Sequence, residues 1–364
     1  MGGQADRRTI LATSLLVLAG LILLYSASAP FSLRHYGSDV SMLFRQALAA
    51  ALGTIALLVL ARLDYHRLAV INDLLLVGSF LLTAITILPL GIGNGRWLAL
   101  GPFTFQPTEL LKLSLILYLA SALARKGARV RSFVQGVAPF LIVMAVLGVT
   151  VLAQPDMGMV LVLGAVTMAM LFFAGARVLH LAGIVVASAP LAIVAVQMAP
   201  YRLARVLSFL NPGAYGETSG YQTIQSLIAI GSGGLLGRGL GASRAKLFYL
   251  PQSHNDFIAS VVAEELGLIG MIALLGAIGF LVWRAFAIAE RAPDRLGQLL
   301  AMGIGFTIGF QTLLNIGVTV GLLPVTGLTL PFLSNGGSSL IVTLAMVGLL
   351  LNVSRQTQQQ GGAR

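Results

Sequence analysis

Long apolar runs separated by short polar segments dominate the chain. ILATSLLVLAGLILLYSASA, residues 10–29, is twenty residues long and holds no charged side chain. About twenty apolar residues in a helix cross the hydrocarbon core of a bilayer, where helices satisfy their own backbone hydrogen bonds. The first run lacks a small-residue cleavage site, so we interpret it as a spanning helix and not as a signal peptide. The pattern predicts an all-α, polytopic membrane protein with ten transmembrane helices, over about 9–29, 46–61, 68–90, 109–124, 133–153, 158–175, 178–198, 257–283, 299–320 and 337–353.

One long interval separates these runs. It covers about residues 199–256, between the seventh and eighth predicted spans, and structureless loops of this length are uncommon unless they have a function. Within it, YQTIQSLIAI (221–230) places apolar residues at helical spacing, which is typical of a short helix in a membrane interface. We therefore expect a single membrane domain, 1–364, with one long extracytoplasmic loop.

Charge orients the chain in the membrane. Charged residues make up 10% of the sequence, against about 25% in soluble domains. Most of the 23 Lys and Arg residues fall in short segments on the side of the two termini, and the positive-inside rule places that side in the cytoplasm. The net charge of +11 is thus a topology signal, and no nucleic-acid partner is expected. The chain has no cysteine, which excludes disulfides, thiolate catalysis and cysteine-ligated metals.

A glycine-rich basic segment lies inside the long loop. GSGGLLGRGLGASRAK (231–246) combines six glycines with Arg238, Arg244 and Lys246. Glycines let backbone N–H groups approach an anion, and neighbouring basic side chains can neutralise a phosphate. The same pattern also fits a tightly turned loop whose basic side chains meet lipid headgroups, and the residues alone favour this second interpretation.

A polar cluster follows at the start of the eighth span. In SHNDFIASVVAEELG, Asp256 falls in the first turn of a predicted helix, and Glu264 and Glu265 lie two turns deeper. A first-turn carboxylate stabilises a helix by about 0.3–1 kcal/mol, but an outward-facing Asp256 can equally serve as a general base. Carboxylates inside a membrane are costly and are usually functional.

Further polar residues border other spans. Glu109 and Lys112 in QPTELLK (106–112) are spaced i,i+3 and can pair on one helix face. GNGRWLALG, just before it, adds Arg96 and Trp97, which are typical of an interfacial anchor. Ser338 in LPFLSNGGSS (330–339) can cap the last span. The four histidines are scattered, and no pair has the spacing of a tight metal site.

These residues leave two classes of function open. One is a transporter for a lipid or an anionic substrate, and the other is a membrane enzyme that acts on an amphiphile. An outward polar site built from the long loop, Asp256 and the outer ends of spans four, five and ten fits both classes. Matching broken spans in the two halves would favour a transporter, and the sequence shows no such pair.

Six motifs follow one another along the chain: RWL, QPTELLK, QPDMG, QSLIAIGSGGLLGRGLGAS, KLFYLPQSHNDFIASVVAEELG and PVTGLTLPFLSNGGSS. Taken together and in this order, they resemble the SEDS family (shape, elongation, division and sporulation) of bacterial cell-wall proteins. IAIGSGG and GLTLPF are most similar to the elongation members of the family. The resemblance implies a ten-helix fold and a peptidoglycan glycosyltransferase that polymerises lipid II with inversion at the donor anomeric carbon, for cell elongation and rod shape. A division-type polymerase and a lipid II flippase are the alternatives.

The resemblance also implies roles for individual residues. Asp256 matches the family's essential aspartate, the general base that deprotonates the acceptor hydroxyl. A divalent cation, Mg²⁺ or Mn²⁺, is expected to assist the leaving group, with Asp256 as the one ligand that can be named, and no organic cofactor is expected. The chain departs from the family pattern at Gln252, Asn255 and Asn335. The residues expected to bind substrate or line the cavity are Glu109, Lys112, Arg96, Trp97, Arg238, Arg244, Lys246, His254, Asn255 and Ser338.

Partners and location follow from the same resemblance. The substrate partner is lipid II, an undecaprenyl-pyrophosphate lipid. The protein partners are a class B penicillin-binding protein, which is a transpeptidase, and other proteins of the elongation complex, with membrane lipids around them. The expected location is the bacterial plasma (inner) membrane, with multiple spans, both termini in the cytoplasm and the active site on the outer face.

Overall fold

The fold is helical, as the apolar runs predict. A computed structural model describes residues 5–88, 93–100, 103–215 and 219–361. Aspartates cap several helices: Asp6 accepts from the backbone N–H of Thr9, and Asp294 accepts from that of Gly297. The helices are α1 Arg7–Tyr36, α2 Ser41–Leu60, α3 Tyr65–Val70, α4 Asn72–Ile85, α5 Pro107–Lys126, α6 Ala138–Ala153, α7 Met157–Ala174, α8 Val178–Gln197, α9 Pro200–Leu210, α10 Ser219–Gly233, α11 Ile258–Glu290, α12 Arg295–Thr319 and α13 Gly337–Gly361.

The predicted membrane architecture is confirmed. Within the described residues, nine helices are long and apolar enough to cross a membrane, and α4 is a shorter apolar helix at the third predicted span. That span, predicted over 68–90, is divided into α3 and α4. The buried Asn72 lies at the division, where its side-chain amide donates to the carbonyl of Ala69 and, over 3.0 Å, to the hydroxyl of Ser121 on α5. Residues 89 and 90 lie outside the described ranges.

The core of the bundle is formed by α5, α12 and α13, and α2 packs closely on α13. Gly348 makes that close approach necessary, because a Cβ there would lie 2.6 Å from the carbonyl oxygen of Leu57. Small residues at such contacts let two helix backbones approach in a membrane. By contrast, α8 buries only Leu181 and lies at the edge of the bundle.

Polar contacts tie together the end of the bundle that holds both termini. Asp6 lies 3.0 Å from Arg284 near the end of α11. The hydroxyl of Tyr65 donates to Asp294 over 2.7 Å, and Gln356 on α13 donates to Asp64 over 2.8 Å. The start of α1 and the ends of α2, α11 and α13 therefore share one side of the protein.

The opposite end carries the irregular structure. A three-stranded antiparallel sheet, which the apolar pattern did not predict, contains β1 Gly93–Asn94, β2 Trp97–Leu100 and β3 Phe103–Phe105. The long interval 199–256 contains α9 and α10, and its residues 216–218 lie outside the described ranges. Helix α10 packs against α11, and its Ser226 donates to the carbonyl of Thr319 on α12 over 2.6 Å. This segment thus folds onto the bundle.

Candidate functional site

Asp256 lies in the turn that leads into α11. Its side chain is half-buried, and its backbone carbonyl accepts a hydrogen bond from Asn315 Nδ2 over 2.9 Å. The same amide donates to the carbonyl of Leu328 over 2.7 Å. Asn315, on α12, therefore fixes the turn that carries Asp256 against the segment before α13. No described residue donates a hydrogen bond to the Asp256 carboxylate.

Arg96 faces Asp256 from the turn between β1 and β2. Its side chain donates to the carbonyl of Gln154 over 3.0 Å and to that of Pro155. Gly327 lies between the two charged groups: a Cβ at this position would be 3.7 Å from Asp256 Oδ2 and 3.8 Å from Arg96 Nη1. A side chain at residue 327 would thus fill the space between acid and base.

A second arginine, Arg205 on α9, approaches from the long loop. It is half-buried, donates to the carbonyl of Val325 over 3.3 Å, and interacts electrostatically with Asp256. Arg205 is not among the site residues that the sequence predicts. The sequence does show Arg202 and Arg205 three residues apart on a short amphipathic segment, which is typical of a basic helix face. That spacing does not show which acidic side chain the face contacts.

Asp156 is the fourth member of a charged group that also contains Asp256, Arg96 and Arg205. Asp156 caps α7 by accepting from the N–H of Met159 over 3.1 Å, and its Oδ2 lies 3.8 Å from Arg96 Nη1. Gln106 donates to the same oxygen over 3.1 Å. Burial raises the pKa of Asp156, and the Arg96 charge acts against that rise. The second carboxylate thus contributes negative charge close to Asp256 and Arg96.

Burial and the neighbouring charges shift the pKa of Asp256. Burial raises the pKa of Asp256 to about 6, Arg205 and Arg96 oppose this rise, and Asp156 adds to it. An exposed aspartate has a pKa near 4 and is a weak base. A carboxylate with a pKa near 6 is still ionised at neutral pH and accepts a proton more readily, which is the property of a general base.

Glu109 and Lys112 lie deeper, on α5. Lys112 Nζ is 2.6 Å from Glu109 Oε2 and 2.9 Å from Gln311 Oε1 on α12. Both charged side chains are buried, Lys112 completely. Gln311 in turn donates to the carbonyl of Thr329 over 3.0 Å. The pair therefore joins α5 to α12, and through Gln311 to the segment before α13 that contains Thr329.

The glycine-rich loop is held by Glu264 of α11. Its carboxylate accepts from the backbone N–H groups of Arg244 and Ala245, both over 3.1 Å, and from the hydroxyl of Ser243 over 2.6 Å. Arg238 Nη1 lies 3.1 Å from the same carboxylate. The interpretation as a tightly turned loop fits this arrangement, since much of the hydrogen bonding is made within the protein.

Glu265 holds the end of the same loop. Lys246 Nζ lies 2.7 Å from Glu265 Oε1, and Ser26 on α1 donates to both oxygens of that carboxylate. Helix α11 is broken just beyond, at Gly267, where φ is +66°. Leu268 after the break donates to the carbonyl of Gly234 over 3.0 Å. The loop thus satisfies backbone groups that the interrupted helix leaves open.

Replacing Glu264 with Gln is expected to lower the free energy of unfolding by about 2 kcal/mol, because an amide cannot accept from all four donors. Thermal unfolding in detergent and hydrogen exchange of residues 234–246 measure the effect. Glu290→Gln is the matched control, since Glu290 is exposed near the other end of the same helix. Equal unfolding of the two variants would contradict this role for Glu264.

Two of the predicted site residues, His254 and Asn255, lie in the turn just before Asp256. His254 is buried beside Phe31, with ring centroids 4.4 Å apart, and burial lowers its pKa to about 4, so it is neutral at pH 7. Asn255 donates to Gln252 and accepts from Asn335 Nδ2 over 3.0 Å. Among the three departures from the family pattern, Asn255 therefore contacts both of the others.

Two other predicted residues lie close to the charged group. Ser338 Oγ accepts from the backbone N–H of Gln106 over 3.0 Å, the residue whose side chain contacts Asp156. Trp97 is half-buried on β2, next to Arg96. Arg244 is exposed on the glycine-rich loop, and its backbone N–H donates to Glu264 over 3.1 Å. The structure thus brings Asp256, Arg96 and Ser338 to one region, with Arg205, Asp156, Gln106 and Asn315 added.

The described side chains of this region do not form a complete metal-binding site by themselves. Within the described ranges, no group of three or more His, Asp or Glu side chains is arranged to hold a metal ion. The Asp256 carboxylate nevertheless has lone pairs that no described donor uses. This arrangement fits Mg²⁺, which is commonly held by one or two carboxylates together with substrate phosphates.

Known proteins resemble the chain along nearly its whole length. A family model for the FtsW, RodA and SpoVE proteins, described as "Cell cycle protein", matches residues 6–359. "Probable peptidoglycan glycosyltransferase FtsW" of Geobacter metallireducens is 42% identical over 340 residues, which cover 92% of this chain and 90% of that protein.

Solved structures agree with this fold. A chain from a peptidoglycan synthase complex, studied for its coordination of polymerization and crosslinking, has a TM-score of 0.80 at 33% identity and covers 98% of this chain and 99% of its own. The Rod shape determining protein RodA of Thermus thermophilus has a TM-score of 0.71 at 33% identity and covers 97% of both chains. The chain described here therefore belongs to the FtsW/RodA/SpoVE family, the SEDS family that its motifs resemble.

Proposed function

We propose that the protein is a peptidoglycan glycosyltransferase that polymerises lipid II. The observation that carries the proposal is the half-buried Asp256 carboxylate with Arg96 and Arg205 beside it, where burial raises the pKa of that carboxyl to about 6. A base for a hydroxyl proton and cations for a departing pyrophosphate are the groups that this transfer requires. The activity named for the Geobacter relative supports the same conclusion.

In the proposed reaction, Asp256 takes the proton from the 4-hydroxyl of the acceptor sugar. The oxygen forms a bond to the anomeric carbon of the donor sugar on the face opposite the pyrophosphate. The bond from that carbon to the pyrophosphate oxygen breaks, and its electron pair leaves with the polyprenyl pyrophosphate, which gives inversion. Arg96 and Arg205 stabilise the charge that develops on the leaving group.

A divalent cation, Mg²⁺ or Mn²⁺, is part of the proposal. Asp256 would hold it together with pyrophosphate oxygens of the substrate, since its carboxylate has free lone pairs. When bound, the cation would neutralise phosphate charge.

The proposed location is the bacterial plasma membrane, with both termini in the cytoplasm and Asp256 on the outer face. The basic residues at the terminal end of the bundle support this orientation. The proposed partner is a class B penicillin-binding protein, a transpeptidase. The structural similarity to a chain of a complex that coordinates polymerization and crosslinking supports this pairing.

The direct test supplies purified protein, with its transpeptidase and Mg²⁺, with fluorescently labelled lipid II. We expect glycan strands that a muramidase digests. Transfer of labelled lipid II across proteoliposome membranes without any glycan product would support a flippase and overturn the proposal.

The rate should rise with pH through about 6 and level off above pH 7, because only the ionised carboxylate of Asp256 accepts a proton. Below pH 6 we expect about a tenfold fall per pH unit. Arg205→Met removes a positive charge that opposes the raised pKa, so the midpoint of its pH profile should move upward. Initial rates of polymerisation between pH 5 and 8 measure both effects, and a flat profile for the unmodified protein would contradict them.

Two cellular roles remain as proposals. IAIGSGG and GLTLPF favour cell elongation, but the elongation role is not confirmed. The relative named FtsW is 42% identical and the protein named RodA is 33% identical, which favours division. Depletion in the native bacterium distinguishes the roles: rounded cells indicate elongation, and filaments indicate division.

A further inference from the structure

A groove of about 610 Å³ runs along α1 on the side of the bundle that carries Asp256. One wall is the second half of α1, and the other is the glycine-rich loop 231–246 with the residues just after it. Neither Asp256 nor the arginines beside it line this groove. Its apolar walls include Ile22, Ala29, Pro30, Leu33, Leu240 and Leu247.

The floor of the groove is polar, but its polar side chains are bonded to one another and to Glu265. Ser26 and Lys246 line it, and Lys246 Nζ is bonded to Ser26 Oγ over 3.0 Å and to Glu265 over 2.7 Å. Lysine and glutamate charges cancel there, so the floor does not select an anion. A hydrocarbon chain in this groove would contact aliphatic walls and a floor without net charge. A lipid tail fits such an environment.

One carboxylate lines the groove, and one guanidinium adjoins it, since Arg34 follows the lining residue Leu33. Asp39 lines it, and Tyr25 donates to the Asp39 carboxylate over 2.9 Å. Arg34 is exposed, and its guanidinium lies 4.8 Å from the ring centroid of Phe248, the residue that follows Leu247. A carboxylate that lines an apolar groove and a guanidinium beside it complement a headgroup that carries both an ammonium and a phosphate.

We propose that this groove binds one aminophospholipid of the surrounding leaflet, with an acyl chain along α1 and the headgroup at Asp39 and Arg34. The ammonium contacts the Asp39 carboxylate, and the phosphate contacts Arg34. The bound lipid would link α1 to the glycine-rich loop, which Glu264 and Glu265 connect to α11. This proposal does not depend on the proposed catalytic activity.

Native mass spectrometry of the full-length protein, released from nanodiscs with equal parts phosphatidylethanolamine and phosphatidylcholine, tests the proposal. We expect one retained phosphatidylethanolamine. Ala29→Trp fills the groove from α1 and Leu240→Trp fills it from the loop, and either should lower retention about tenfold or more, because several methylenes lose their contacts. Leu179→Trp is the matched control, since Leu179 is 81% exposed on α8, away from the groove.

Asp39→Asn tests the headgroup contact. It should lower the preference for phosphatidylethanolamine over phosphatidylcholine about twofold to fivefold, the range for one exposed ionic contact, and leave total lipid retention unchanged. The proposal is overturned if both tryptophan variants and the control retain equal lipid. Equal retention of the two phospholipids by the unmodified protein, or retention of a polyprenyl lipid in their place, would also overturn it. Helical content measured by circular dichroism identifies any variant that fails to fold, and the second tryptophan variant then decides.

Discussion

Asp256→Asn is expected to abolish polymerisation of lipid II, with a loss of at least about 100-fold in turnover. The amide keeps the size of the carboxylate but has no affinity for the acceptor proton at neutral pH. The hydrogen bond between Asn315 and the backbone carbonyl of residue 256 does not involve the side chain, so the turn should keep its position. Initial rates with labelled lipid II and the partner transpeptidase measure the loss.

Two measurements separate this chemical effect from damage to the fold. At pH 7 the thermal midpoint of Asp256→Asn should equal or exceed that of the unmodified protein, because no described residue donates to the carboxylate and the burial that raises its pKa disfavours the ionised form. Asp73→Asn, an exposed position at the other end of the bundle, makes the same substitution and should keep full activity. An active Asp256→Asn variant would show that another group is the base.

Much of the fold could be predicted from hydropathy alone. The length and apolarity of a run determine whether it crosses a membrane, and these are local properties. The interruption of α11 at Gly267 could not be predicted in this way, since the run continues through it. The break is stabilised by contacts with Gly234 and Arg238, more than twenty residues away in the sequence.

The candidate site could be predicted only in part, for the same reason. Asp256 is identifiable because a polar cluster at the start of a span is unusual, and the family motif singles it out. Arg205 is one of several bases in a long loop, and only the path of α9 brings it to Asp256. Arg238 and Lys246 were expected to bind substrate, and in the structure both contact carboxylates of α11. Spacing along the chain does not reveal which of two opposite charges a base will meet.

Lys112→Met is expected to lower the free energy of unfolding by about 3–5 kcal/mol. The substitution leaves the Glu109 carboxylate buried without its cation, and breaking a buried ion pair from one side has this cost. Gln311 also loses the donor that Lys112 supplies over 2.9 Å. Lys126→Met, near the end of the same helix, is the matched control: Lys126 is half-exposed and contacts the carbonyl of Gln135 and the ring of Phe140 but no described carboxylate, so its substitution should cost only about 1–2 kcal/mol.

The double variant Glu109→Leu with Lys112→Met shows whether the charge left behind causes the loss. Replacing both ions with apolar groups removes the unpaired carboxylate, and such replacements are often neutral or stabilising. Gln311 still lacks one donor, which costs about 1–3 kcal/mol, so the double variant should be more stable than Lys112→Met alone but less stable than the unmodified protein. The free energies of unfolding of Glu109→Leu, Lys112→Met and the double variant, measured in mixed micelles against the unmodified protein, give the coupling energy between the two positions. Additive effects of the two substitutions would mean that the pair does not act as one buried unit joining α5 to α12.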